Sequence, residues 1–117
     1  MINKIKSLIF GKPQDVPIKK AKLKRNSKWW AVRSEHLKHC AACVVCRSTN
    51  DVQVHHKKPF HLFPELELDP LNLISLCGEG GHNCHLVFGH LCDFSSYNEE
   101  IDQDAKRMYK KIIKRPN

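Results

Sequence analysis

Apolar and polar positions alternate along this chain in short, clearly different rhythms. From Ser27, a predicted N-cap, to about His39 the spacing predicts a helix, with Trp30, Val32 or Arg33, and Leu37 on one side and Lys28, Glu35 and Lys38 turned outward. Cys43 to Asp51 reads as a tight turn, and the alternating stretch Val52 to His56 as a strand. Pro59 to Pro70 reads as a loop with apolar anchors at Phe60, Leu62, Phe63 and Leu66. Leu71 to Leu76 predicts a second short strand ending at Cys77, followed by a turn forced by Gly78, Gly80 and Gly81. Cys84 to about Leu91 is a candidate short helix carrying His85 and His90. Asn98 is placed to cap a last helix, Glu99 to about Lys114, that buries Ile101, Ala105, Met108 and Ile112. Two short strands among helices predict a small α+β domain.

Residues 1–26 fall outside this rhythm. Ile2, Ile5, Leu8 and Ile9 allow a turn or two of amphipathic helix, which Gly11 and Pro13 stop. Pro17 and the basic run from Lys19 to Arg25 then predict an extended or flexible arm, so the expected division is an arm over 1–26 and one domain over 27–117. Composition sharpens this. A chain of 117 residues, 41% hydrophobic, has room for one modest core, and domains of this size often need a metal or disulfides. Lys4 and Lys6 interrupt the only N-terminal apolar stretch, so no signal peptide is expected. No apolar run approaches the ~20 residues of a membrane span. A reducing, cytoplasmic setting is the expectation.

The net charge of +8 is unevenly spread. Residues 1–50 carry twelve Lys/Arg against Asp15 and Glu35, and residues 51–105 carry Lys57 and Lys58 against ten acids. The last twelve residues add six positives and no acid. Basic flanks of this kind suit a polyanion, most simply nucleic acid, with Lys19, Lys20, Lys22, Lys24 and Arg25 as candidate DNA contacts. A solubilising basic tail would have the same composition.

Six cysteines stand at 40, 43, 46, 77, 84 and 92. Cys43-x-x-Cys46 with Cys77 and Cys84 gives two pairs flanking the two-strand segment, the donor set of a closed tetrahedral Zn2+ site. Cys40-x-x-Cys43 overlaps it, and His82 could replace Cys84; Cys46 is preferred over Cys40 because it sits at the turn into the strand. An iron–sulfur site on Cys40, Cys43 and Cys46 lacks a fourth cysteine followed by proline. The tandem His55-His56 ends a strand, and alternation sends the two rings to opposite faces, so they are suited to different tasks. His85 and His90 follow the second cysteine pair; alone, they would read as a cap and a surface residue.

Taken together, Cys43-x-x-Cys46, Val54-His55-His56-x-x-Pro59, the run Asn72 to Cys77, and Cys84-His85 closely resemble the HNH endonucleases of the ββα-metal (His-Me finger) class, over about residues 43–90. The stretches Pro64 to Pro70 and Phe88-Gly89-His90 are similar to small bacterial and phage members. The resemblance implies a ββα-metal core of two antiparallel strands and a metal-binding helix, flanked by N- and C-terminal helices and a zinc knuckle. It implies that His55, His85 and His90 bind a catalytic divalent cation (Mg2+, Mn2+, Ni2+ or Zn2+). His56 would activate the attacking water, and Asn72 would pin the loop that orients His56. Cys43, Cys46, Cys77 and Cys84 would hold a separate structural Zn2+. The implied activity is hydrolysis of DNA phosphodiester bonds in a bacterial cell or phage-infected host, where a targeting or packaging protein is a candidate partner.

Two features depart from the family pattern. Five residues separate His85 from His90, and five residues turn a regular helix by about 500°, some 140° out of line. Either His85 precedes the helix or Gly89 permits a distortion. The long turn from Gly78 to Asn83 also makes His82 a rival to His90 as the last ligand. The reading from another class is a non-catalytic zinc module that binds DNA or a protein; it would need neither His56 nor Asn72.

Overall fold

The computed structural model describes residues 24–117. Helix α1 (Trp29–His39) leads to strand β1 (Val52–His56), then two 3-10 turns (Pro64–Leu66 and Pro70–Asn72) and strand β2 (Leu73–Cys77). A single π turn (His85–Gly89) and helix α2 (Ile101–Ile113) complete a small α+β domain. The strands pair antiparallel, Val52 opposite Cys77 and His56 opposite Leu73. Among the described residues no helix is long and apolar enough to cross a membrane.

Helix α1 starts one residue later than the Ser27 cap predicts. Asn26 performs that work instead: its carbonyl accepts from Trp29 N and its Oδ1 from Lys28 N, while Lys28, in the cap position, makes no side-chain cap bond. The core tryptophan also differs from the expected one. Trp29 is buried and Trp30 is 65% exposed. Trp29 rests on the His56 ring, centroids 4.6 Å apart, with the Arg25 guanidinium 4.9 Å from its own centroid.

Strand β2 is shorter than expected at its start. Asp69 Oδ1 accepts from Leu71 N, and Pro70 opens a 3-10 turn, so Leu71 is 83% exposed rather than paired. Leu62 is also exposed and anchors nothing, whereas Phe60, Phe63 and Leu66 are half-buried. In the turn after β2 the glycines are needed for close approach. A Cβ on Gly78 would lie 2.5 Å from Asp51 Oδ2 and from Gln53 Nε2, and one on Gly81 would lie 2.8 Å from Cys77 Cβ. The left-handed residue of that turn is Asn83.

The core lies between β2, the cysteine turn and α2. Val45, Ile74, Leu76, Ile101 and Ala105 share it with Cys43, Cys77 and Cys84, and Met108 and Ile112 pack against its edge. Helix α2 therefore buries the predicted stripe, though its first residue is Ile101 rather than Glu99. Asn98 braces the turn before it, accepting from Glu100 N at 2.9 Å and donating to Asp104 Oδ2 at 2.8 Å. Few aliphatic side chains lie at its centre, where three thiols take their place.

The end of the predicted arm is attached to the domain. Asn26 N and the Arg25 guanidinium both reach the buried carboxylate of Glu67, and Arg25 also lies 4.8 Å from the Phe60 ring. Arg25 is thus a fastener of the fold rather than a free cation. Lys24 is exposed, and Lys19, Lys20 and Lys22 lie outside the described residues.

Candidate metal centres

The four thiols of Cys43, Cys46, Cys77 and Cys84 lie within 4.8 Å of one another. Tight turns bring them together: Arg47 N donates to Cys43 O and Cys43 N to Ser48 O, with Arg47 in the left-handed region. Cys46 Sγ and Cys77 Sγ are 3.7 Å apart, close to the ~3.8 Å edge of a tetrahedron built on a Zn–S bond of about 2.3 Å. Burial pushes the Cys77 thiol up, but N–H groups of Cys84 and His82 with the neighbouring thiols outweigh it and bring it to about 7. Burial beside Cys43 and Cys77 pushes Cys84 the other way. Four thiols this close cannot all ionise without a cation among them, and these four could hold a structural metal ion. Cys40 stays outside, exposed, its carbonyl accepting from Ser75 Oγ at 2.6 Å.

His82 belongs to this first cluster. Its Nδ1 lies 3.2 Å from Cys46 Sγ and its backbone N–H donates to Cys77 Sγ. It is therefore not the rival of His90, which sits elsewhere.

The second cluster joins His55, His85 and His90, again with ligand atoms within 4.8 Å of one another. The π turn explains how residues five apart come together. His90 N donates to His85 O at 3.1 Å, an i→i+5 bond that widens the turn and stacks the two side chains. The short helix expected from Cys84 to about Leu91 is one π turn, which is the distortion that the five-residue spacing called for. Gly89 makes room for it: a Cβ there would lie 3.0 Å from His55 Cε1 and 3.1 Å from Leu76 Cδ1.

Hydrogen bonds fix the protons on two of these rings. Gln53 Nε2 donates to Asp51 Oδ1, so its Oε1 turns to His85 and accepts from Nδ1 at 2.7 Å. His90 Nδ1 donates to Ser96 O, also at 2.7 Å. With both Nδ1 atoms protonated, the two Nε2 atoms carry lone pairs and face each other at 3.2 Å. Among the described residues the buried Nε2 of His55 has no hydrogen-bond partner. Three imidazole nitrogens thus converge. Two nitrogens on one tetrahedral Zn2+ at about 2.0–2.1 Å would be ~3.3 Å apart, so the geometry fits a shared cation. Burial, then the neighbouring His85, His90 and His56, hold His55 down at about 3, and burial with His90 holds His85 at about 4. Both rings are neutral near pH 7, as ligation requires.

His56 faces the opposite side of β1. Nε2 donates to the Glu67 carbonyl at 2.9 Å, and burial lowers its pKa. Asn72, also buried, ties the chain just beyond it: Nδ2 donates to the carbonyls of Lys58 and Leu66, and Oδ1 accepts from Lys58 N. Glu67, Gln53, Asp51 and Ser96 were not singled out in the sequence. Only Gln53 left a signal, because alternation puts it on the same face of β1 as His55. Compared with family models, curated proteins and solved structures, the chain matches none.

Proposed function

We propose that this chain is a small HNH-type endonuclease of the ββα-metal class that hydrolyses DNA phosphodiester bonds. The observation that carries the proposal is the convergence of His55, His85 and His90 beside a second, oppositely directed histidine on the same strand. A non-catalytic zinc module has use for the thiol cluster but none for three imidazoles aimed at one point.

A divalent cation held there, Mg2+, Mn2+, Ni2+ or Zn2+, supplies Lewis-acid stabilisation of charge on a phosphate. The chain's own residues do the rest. Gln53 and Ser96 keep His85 and His90 in the tautomer whose Nε2 is free. Glu67 holds the proton of His56 at Nε2, which leaves Nδ1 as the atom able to take a proton from water. The same carbonyl then stabilises the imidazolium that results. Asn72 fixes the loop carrying that carbonyl through its bond to Leu66 O. Cys43, Cys46, Cys77 and Cys84 hold a structural Zn2+ at the far end of the hairpin. Lys24 and the basic residues before it, Lys19, Lys20 and Lys22 among them, contact flanking phosphates.

Supercoiled plasmid incubated with the full chain and each of Mg2+, Mn2+, Ni2+ and Zn2+ tests the proposal. Nicking by the wild type, lowered about 10²–10⁴-fold in His56→Ala with metal binding retained, is the expected result. Intact plasmid with every cation, or undiminished nicking by His56→Ala, would overturn the scheme.

A further inference from the structure

Just past the π turn the chain doubles back between His90 and Ser96. Asp93 organises this loop: Oδ1 accepts from Ser95 N and Ser95 Oγ at 2.9 and 2.7 Å, and its carbonyl accepts from Ser96 N at 2.8 Å. Leu91 and Cys92, with φ of 55° and 69°, both take the left-handed conformation that side chains disfavour. The loop has one evident task, placing Ser96 O against His90 Nδ1. It has a second outcome, the position of Phe94.

The Phe94 ring lies 5.0 Å from the His90 centroid and 6.0 Å from that of His85, yet the residue is 64% exposed. A domain short of core residues here leaves a phenylalanine open on a well-braced loop, at the edge of three converging imidazoles. His85 and Phe94 also share a cavity of about 240 Å³, bounded by Leu86, Asn83, Asp51 and Glu79. The two carboxylates make it a poor seat for a second phosphate, and they are acceptors for the amino groups of nucleobases. The ring offers a flat apolar face. A flat, neutral, amino-bearing group beside a phosphate is a nucleobase.

We infer that Phe94 is a stacking platform for an unpaired base next to the scissile phosphate, so that the substrate class is single-stranded or locally unpaired DNA. This rests on the nuclease proposal and adds the substrate to it. A base in an intact duplex has both faces covered, whereas stacking on an aromatic side chain needs a free face and tolerates any base.

The test uses the full chain with Mn2+ on an end-labelled single strand, and on copies with an abasic position on either side of the cut. Removing one flanking base should raise the wild-type KM about tenfold. Phe94→Ala should show that raised KM on the intact strand and no further rise on the abasic one, and Phe94→Trp should restore the wild-type pattern. If Phe94→Ala and Phe94→Leu match wild type on every strand, the platform is refuted while the nuclease proposal stands. A fall in kcat and in Co2+ affinity that is equal on all strands, with the abasic penalty intact, would mean that Phe94 only packs against His90, and also refutes it. A wild type that cuts no DNA with any cation removes the nuclease proposal and this inference with it.

Discussion

Glu67 serves His56 and Arg25 at once: its backbone carbonyl accepts from His56 Nε2 at 2.9 Å, and its buried carboxylate pairs with the Arg25 guanidinium at 3.3 Å. The residue that orients the proposed base is therefore held in place by the end of the basic arm. Arg25→Ala strips a nearly buried carboxylate of its cation and leaves only the Asn26 N–H on it. The guanidinium is 45% exposed on its side chain, so the cost should fall below the fully buried range, at about 1–3 kcal/mol. Denaturant unfolding checks that figure. Plasmid nicking by the same variant should fall with it, since the Glu67 carbonyl loses its brace, whereas Lys24→Ala should leave stability unchanged.

Gly89 sets a steric limit. Gly89→Ala puts a methyl group about 3 Å from the His55 ring and Leu76, an overpacking that should cost about 1–3 kcal/mol. Its mark should be selective: metal content measured by plasma emission should drop at the imidazole site while the four thiols keep their ion.

The two centres should separate under mutation. Cys77→Ala removes a buried sulfur from the heart of the core and should leave the chain largely unfolded by circular dichroism, as chelation of the thiol-bound metal would. His85→Ala should stay folded and lose only the second ion. A Cys77→Ala protein with native stability would show that the thiols are not the structural centre.

With the imidazole site empty and the thiols still holding their ion, acid should destabilise the protein through its buried imidazoles. His55, at about 3, and His85, at about 4, titrate in the folded state below the ordinary histidine value near 6.5. Between roughly pH 6.5 and 4 the unfolded chain therefore binds more protons, and stability is lost as pH falls through that window. Above it these two groups contribute no pH dependence. The loss between pH 7 and pH 5 should be on the order of 3 kcal/mol for the pair, read from denaturant midpoints, and His55→Gln should remove about half of it.

Much of this was legible because periodicity and ligand spacing are local. The strand from Val52 to His56, the stripe on α2 and the grouping of Cys43, Cys46, Cys77 and Cys84 all follow from residue types at short separations. The misses share a cause, which is tertiary contact. Trp29 rather than Trp30 is core because Arg25, Asn26 and His56 meet around it, and no helical wheel contains those partners. The π turn was foreshadowed only as a spacing that a regular helix could not satisfy. Glu67 carries no mark of its own in the sequence, since nothing in a run of alternating acids and leucines distinguishes the carboxylate that is buried. Whether the imidazole site cuts DNA was never a matter that periodicity could reach.

Both centres hang on one two-stranded ribbon, Cys77 opposite Val52 at one end and Leu73 opposite His56 at the other. Slipping the pairing by a single residue would swap the faces of every side chain on a strand. A slip of β1 would turn His55 away from His85, and a slip of β2 would turn Cys77 away from Cys43. A metal ion caught by the four thiols would therefore do more than hold sulfur: by fixing Cys77 against Cys43 it would fix the alignment that brings the histidines together.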